Sequence, residues 1–327
     1  MLSTRDAPGM RLPLSYSAVD RDHVGRERPA LFDELWREDG TRVLALWGDR
    51  ALVRRDSSGN SSLVFHDVDS MSSAIIRVYL GRVLDDSADL PRGAALVMHT
   101  LTEAAALECE PDESAWMTLR QCAASLSERD AGLFVEAIAI ANWHSANQFC
   151  PRCGAPTILE QGGWVRRCFE DGGELFPRTD PAVIATVTDD RDRLLLGSNA
   201  QWESSRFSVL AGFVEPGESF EAALQREVFE EAGVRVDTVR YWGSQPWPFP
   251  ASIMVGMTSR LAPGYTAEDV RPDGIEIREL RWFSRESLWE NRECLLLPGP
   301  ISISRALIEH WYGGPLSRPP EVPGWPR

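Results

Sequence analysis

Residues 212–234 read G-F-V-E-P-G-E-S-F-E-A-A-L-Q-R-E-V-F-E-E-A-G-V, and the rest of the chain is read outward from them. Five residues separate Gly212 from Glu218, and seven more lead to the pair Arg226-Glu227. One apolar residue, Val228, is followed by Glu230-Glu231 and then Gly233-Val234. Ser219 stands where a helix N-cap is expected, and Glu221 in the first turn suits the helix dipole. Gly233 fits the residue just past a helix end. Phe220, Leu224 and Val228 recur every four residues and are predicted to face a core. Glu227, Glu230 and Glu231 stand at i, i+3 and i+4, so they share one helix face. Three carboxylates on one face repel one another unless cations sit between them. Hard oxygen ligands of this kind suit Mg²⁺ or Mn²⁺. The plain alternative is a solvated, glutamate-rich face.

The surrounding chain has 327 residues, enough for two or more domains with cores of their own. No apolar run approaches the length of a membrane-spanning helix, and the first residues, M-L-S-T-R-D-A-P-G-M-R-L-P, lack a signal-peptide core. A net charge of −15 argues against DNA, against a broad nucleic-acid surface and against an anionic membrane as partners. An anionic substrate then needs local positive charge, which bound metals can supply. The six cysteines are 109, 122, 150, 153, 168 and 294. Without a secretory signal, a C-x-x-C pair points to metal binding or redox chemistry in a cytoplasmic protein.

Residues 1–147 read as one α+β domain. Two apolar runs around Gly48-Asp49 give a hairpin signal within residues 41–55. Strand-like runs follow at 62–68, 75–84 and 94–99, and the pattern turns helical over 113–148. His144, near the end of that stretch, is expected to be structural or solvated and not a ligand.

Residues 148–180 form a short module. Cys150-Pro151-Arg152-Cys153-Gly154 is a C-x-x-C knuckle, and Cys168 opens a second knuckle whose fourth ligand position holds Asp171. The pattern is that of a zinc ribbon. Two readings stay open, a Cys₃Asp zinc site and a former ribbon held by packing alone.

Residues 181–312 are α/β in pattern, with strand signals at 182–187, 194–196, 207–210, 234–242, 252–261 and 277–283 and a final helix at 301–311. Residues 313–327 are a proline-rich tail. Within this part, Ser244-Gln245-Pro246-Trp247-Pro248-Phe249-Pro250 has three alternating prolines that remove three donors, so it cannot be a central strand. It is either a stiff aromatic platform for a flat ring or a turn that covers the core.

The stretch at 212–234 fills every fixed position of the Nudix box, G-x5-E-x7-R-E-U-x-E-E-x-G-U with U apolar, and so resembles the Nudix hydrolases. S-Q-P-W-P-F-P-x-S, ending at Ser252, together with F-P-R-T-D-P-A-V-I from Phe176, is similar to the NADH pyrophosphatase branch of that superfamily, whose NAD-capped RNA hydrolases also carry an N-terminal domain and a zinc ribbon. The resemblance covers roughly residues 120–312, and Asp171 departs from it.

What the resemblance implies is a Nudix α/β/α sandwich behind a zinc-ribbon-like module and an N-terminal α+β domain. The expected activity is hydrolysis of the pyrophosphate of NADH or NAD⁺ to NMN(H) and AMP, by a homodimer, with removal of NAD from RNA 5′ ends as a related reaction. The resemblance places Glu227, Glu230, Glu231 and Glu276 at Mg²⁺ or Mn²⁺, with Glu231 activating the attacking water. It places Cys150, Cys153, Cys168 and Asp171 at Zn²⁺. Phe213 and Trp247 are expected to stack on a substrate base, Gln245 and Ser252 to hydrogen-bond its polar parts, Phe176 to reach in from a partner subunit and the backbone of Ser304 to meet the nicotinamide half. Arg226 is expected to orient a glutamate. The alternatives are a Nudix hydrolase of ADP-ribose or dinucleoside polyphosphates, or a nucleotide-binding regulator without turnover.

Overall fold

The computed structural model describes residues 12–71 and 74–319. Two units emerge from its contacts, one built mainly from Leu14–Thr179 with Trp247–Ala251, the other mainly from Asp180–Pro246 and residues 252–319. Most of the expected proline-rich tail lies outside the described residues. No described helix is long and apolar enough to cross a membrane.

In the first unit the elements run β1 (Val19–Asp20), α1 (Leu31–Arg37), β2 (Arg42–Trp47), β3 (Arg50–Arg55), β4 (Ser61–Leu63), β5 (Phe65–Asp67), β6 (Ile76–Val83), β7 (Ala95–Thr100), α2 (Glu103–Cys109), β8 (Trp116–Thr118), α3 (Leu119–Cys122) and α4 (Glu128–Ala146). The sheet order is β1-β6-β7-β2-β3-β4, with β5 on β2 and β8 on β3. The β2–β3 hairpin forms where Gly48-Asp49 called for it, and Gly48 takes φ 61°. The single run expected at 62–68 breaks at Val64, because its halves pair with different strands. The helical stretch expected from 113 opens with a single 3₁₀ turn, Glu113–Ala115, and is then interrupted by strand β8, whose Met117 pairs with Ala51. The ribbon follows as β9 (Thr157–Glu160), β10 (Val165–Cys168) and β11 (Glu174–Leu175), an antiparallel sheet in the order β11-β10-β9. His144 is fully buried between Gly163 O at 2.8 Å and Arg166 Nη1 at 2.9 Å, which makes it structural.

The second unit is a mixed sheet with helices on both faces. Its elements are β12 (Asp180–Thr188), β13 (Leu194–Asn199), β14 (Leu210–Phe213), α5 (Phe220–Ala232), β15 (Val236–Trp247), β16 (Ser252–Leu261), β17 (Ile277–Phe283), α6 (Arg285–Asn291) and α7 (Ile303–Tyr312). The order β15-β16-β12-β13-β17 puts β12 parallel to β16, and β14 pairs with β12. Alternation along the central strands builds two cores, since successive side chains point to opposite faces. Val183, Ala185 and Val187 of β12 and Leu195 of β13 pack with Ala223, Leu224, Val228 and Ala232 of α5. Ile184, Leu194 and Leu196 face the other way, onto Leu288 of α6 and Ile303, Leu307, Ile308 and Trp311 of α7.

Helix α5 begins at the expected cap, where Ser219 accepts the Ala222 N–H at 3.2 Å. It ends at Gly233 in the left-handed conformation, φ 71°. Leu224 and Val228 are buried as the spacing predicted, but Phe220 is 42% exposed. It is the first helical residue and keeps the spacing of the stripe, but the first turn runs past the end of the core that Ala223, Leu224, Val228 and Ala232 build.

Candidate active site and cysteine cluster

The acidic face of α5 is organised by one arginine. Arg226 donates through Nε to Glu218 Oε1 at 2.7 Å and through Nη2 to Glu218 Oε2 at 2.9 Å. Its Nη1 donates to Glu227 Oε1 at 2.8 Å and to Glu230 Oε2 at 2.9 Å, and Nη2 also reaches Phe213 O at 2.8 Å. A planar fork of five donors suits this task, and an ammonium would not reproduce it. The first of these partners, Arg226, holds the Glu218 carboxyl down to about 2. The sequence reading assigned Glu218 no role beyond its place in the box; here it anchors the arginine that orients two neighbours.

Gly212, in β14, lies against the Glu227 carboxylate. A Cβ built on it would stand 1.9 Å from Cδ of Glu227, so any side chain there would displace that carboxylate. Glycine here leaves that carboxylate in the place where Arg226 holds it.

Glu231 differs from its neighbours. It is 5% exposed, and its Oε2 is buried with no hydrogen-bond partner. Burial first, then the charges of Glu227, Glu276, Asp273 and Glu230, push its carboxyl up to about 8. Burial also raises Glu227. Glu276 is exposed at the end of a loop that Asp273 fixes, since Asp273 accepts the N–H of Glu276 at 3.0 Å and of Ile277 at 2.8 Å. Asp273 was missed in the sequence, although Pro272-Asp273-Gly274 is a turn signal that could have found it. A buried, unpartnered carboxylate oxygen among four other acids fits a divalent cation, whose charge offsets the repulsion.

The other candidate residues fall into distinct settings. Phe213, ending β14, is 60% exposed, and Phe176 in the first unit is 58% exposed. Ser252 is buried at the start of β16 and Ser304 is buried in α7, where its Oγ lies 2.7 Å from Ser208 Oγ and its N–H donates to Ser302 Oγ. Gln245 is fully buried. Its Nε2 donates to Pro13 O at 2.6 Å and Ile301 O at 2.9 Å, and its Oε1 accepts the Ile303 N–H at 2.8 Å. Both amide hydrogens are spent inside the protein, so the expectation that Gln245 bonds a substrate gives way to a structural role. Trp247 is half-buried and meets Phe249 edge to face at 5.0 Å. The segment is not a free-standing turn, for β15 continues as an edge strand as far as Trp247. An edge is where a strand tolerates proline.

In the ribbon, Cys150, Cys153, Cys168 and Asp171 bring one ligand atom each within 4.8 Å of one another. Cys153 Sγ lies 3.4 Å from Cys168 Sγ, and Cys150 Sγ lies 3.8 Å from Asp171 Oδ2. The other oxygen of Asp171 is held by the Gly173 N–H at 2.7 Å and Arg152 Nη2 at 3.1 Å. Backbone N–H groups of Arg152 and Cys153 bring the Cys150 thiol down to about 7. Against the pull of the Asp171 N–H, burial and the Cys153 and Asp171 side chains push Cys168 up to about 11. One thiol of the cluster is thus ready to ionise, and another gives up its proton only to a metal. Three sulfurs and a carboxylate form a donor set of the right number for tetrahedral zinc.

Known proteins resemble this chain along most of its length. The NUDIX domain family matches residues 178–299, the NADH pyrophosphatase zinc ribbon domain matches 145–176, and the NADH pyrophosphatase-like rudimentary NUDIX domain matches 40–143. The NAD-capped RNA hydrolase NudC of Mycobacterium bovis is 39% identical over 295 residues, covering 84% of this chain and 90% of its own. NudC of Mycobacterium tuberculosis matches at the same identity and coverage. The human NAD-capped RNA hydrolase NUDT12 is 40% identical over 200 residues, covering 57% of this chain and 42% of its own.

Proposed function

The chain belongs to the Nudix hydrolase family, in the branch of the NudC relatives, and on that premise we propose that it hydrolyses the pyrophosphate of NADH and NAD⁺, including NAD at the 5′ end of RNA. The observation that carries this reading is the unpartnered Oε2 of Glu231, buried on a helix face beside Glu227 and Glu230. Mg²⁺ or Mn²⁺ held by Glu227, Glu230, Glu231 and Glu276 supplies the positive charge that a transferring phosphoryl group requires.

The chain's own residues do the rest. Glu231 takes the proton of the attacking water, a role its buried Oε2, free of other hydrogen bonds, is placed to fill once a bound cation keeps the carboxyl ionised. Water oxygen bonds to phosphorus as the bridging P–O bond breaks, so NADH and water give NMNH and AMP. Arg226 keeps Glu227 and Glu230 in register. Phe213 and Trp247 stack on flat rings of the substrate, Ser252 and the Ser304 backbone line its polar parts, and Phe176 serves the site of a second copy in a homodimer. Zn²⁺ held by Cys150, Cys153, Cys168 and Asp171 closes the ribbon and takes no part in turnover.

The experiment is a comparison of kcat/KM for NADH and for NAD-capped RNA on one preparation with Mg²⁺. Turnover of both supports the reading. Turnover of ADP-ribose or dinucleoside polyphosphates alone refutes it, and sedimentation as a monomer removes the role of Phe176.

A further inference from the structure

Residues 246–250, P-W-P-F-P, carry only two backbone N–H groups, because proline has none. One of these, on Phe249, is spent on Trp247 O at 2.7 Å. A segment so poor in donors leaves its carbonyls to partners outside it, a requirement at buried Pro248, while exposed Pro250 is also open to water. One side chain meets two of them. Asn142, on α4, donates through Nδ2 to Pro248 O at 3.1 Å and to Pro250 O at 3.0 Å. Both carbonyls flank Phe249, whose ring contacts Trp247 edge to face and lies 3.8 Å beneath the guanidinium of Arg120.

The choice of residue is specific. Asn offers two N–H donors from one nitrogen, enough for two carbonyls at once. Aspartate has the same shape but would turn lone pairs toward both oxygens, and serine offers one donor. Asn142 flanks buried Ala141 and Trp143 on a helix that is mostly buried, so its own position is fixed.

We propose that Asn142 is a positioning residue for the aromatic platform. By pinning the backbone on both sides of Phe249 it holds the ring of Trp247 in one orientation before substrate arrives, which lowers the ordering cost of binding. The inference rests on the reading of Trp247 as a residue that stacks on substrate.

The test is a double-mutant cycle on NADH hydrolysis with Mg²⁺ present. Asn142→Asp removes both donors at constant size, and Asn142→Ser keeps one. Two lost hydrogen bonds should raise KM about tenfold in Asn142→Asp and less in Asn142→Ser. Because the contact serves binding, kcat should stay within about twofold. In a Trp247→Ala background, Asn142→Asp should raise KM no further. In protein labelled with 5-fluorotryptophan, the ¹⁹F resonance that Trp247→Phe deletes should shift in Asn142→Asp. If Asn142→Asp does not fold, Asn142→Ser carries the same comparison. Unchanged KM in the folded Asn142 variants, or a rise that adds in full to that of Trp247→Ala, overturns the proposal and leaves Trp247 standing. Unchanged KM in Trp247→Ala overturns the reading of the platform itself.

Discussion

Helix α5 presents its acidic ligands along one face, whereas the ribbon draws its four ligand atoms within 4.8 Å of one another, and the physical means differ. On α5 the helical period brings Glu227, Glu230 and Glu231 to one face, and Arg226 spends its fork on two of them and on Glu218. Glu231 is left buried and raised to about 8, so a cation that binds there must displace a proton. In the ribbon two knuckles bring three sulfurs together, and backbone N–H groups pull Cys150 down toward the thiolate. Arg152 meets the far oxygen of Asp171 and also the Cys150 sulfur. The oxygen cluster is therefore held short of full charge and suits an exchangeable hard cation. The sulfur cluster offers softer donors, with Cys150 held toward the thiolate and Cys168 held as the thiol, and suits a soft cation that stays.

If the two clusters serve separate ends, substitutions should separate them. The largest effect is expected from Glu231→Gln, which should cut kcat for NADH by roughly 10²–10⁴, the worth of a general base. Cys150→Ser should leave kcat of the folded enzyme nearly unchanged while releasing zinc. Equal losses in the two variants would merge the sites.

Next in size is Trp247→Ala. A stacking contact is worth about 1–3 kcal/mol, so kcat/KM for NADH should fall roughly ten- to a hundred-fold. A substrate held mainly by its phosphates should lose far less. Equal loss on both would make Trp247 a packing residue only.

The ribbon's own ligand set gives a comparable or smaller effect, read in metal and not in rate. Asp171→Cys should tighten zinc, on the order of 10-fold or more, because thiolate is the softer partner. Competition with a chromogenic chelator measures it. Zinc bound only by the cysteine variant would show that the natural ribbon is held by packing.

The last effect, comparable in size and read in stability rather than rate, is a pH slope. Glu231 is raised from 4.5 to about 8 on folding, so the folded state binds a proton that the unfolded state releases. That contribution is fully present below pH 4.5 and is lost as pH rises through about 8. In metal-free protein, Glu231→Gln should therefore gain about 1–3 kcal/mol on wild type between pH 5 and 8.5, by denaturant titration. A pH-independent difference would mean that Glu231 ionises freely, and the argument for a cation at its Oε2 would lose its footing.

How much of this was legible in the sequence differed between the same two regions. The α5 stretch was readable because cap, period and C-terminal glycine agree within 13 helical residues. Only Phe220 was misplaced, since a first-turn residue can follow the spacing without reaching the core. Strands β16 and β17 were readable from their apolar runs. The splitting of the 62–68 run into β4 and β5 was not, because it depends on partners distant in sequence. Helices α1, α2 and α6 are each 7 residues long and too short to show a period. Gln245 looked like a substrate contact because its motif is shared; only the fold shows that Pro13, Ile301 and Ile303 use its amide.

The central claim is that the α5 carboxylates carry out pyrophosphate hydrolysis. The direct measurement is product analysis by chromatography after incubating NADH and Mg²⁺ with wild type and with the Glu230→Gln, Glu231→Gln double variant. Wild type should yield equal amounts of NMNH and AMP and stop when EDTA is added. The double variant should yield neither within the same time while keeping its circular dichroism and ribbon metal. NMNH and AMP formed at the wild-type rate by the double variant would contradict the account.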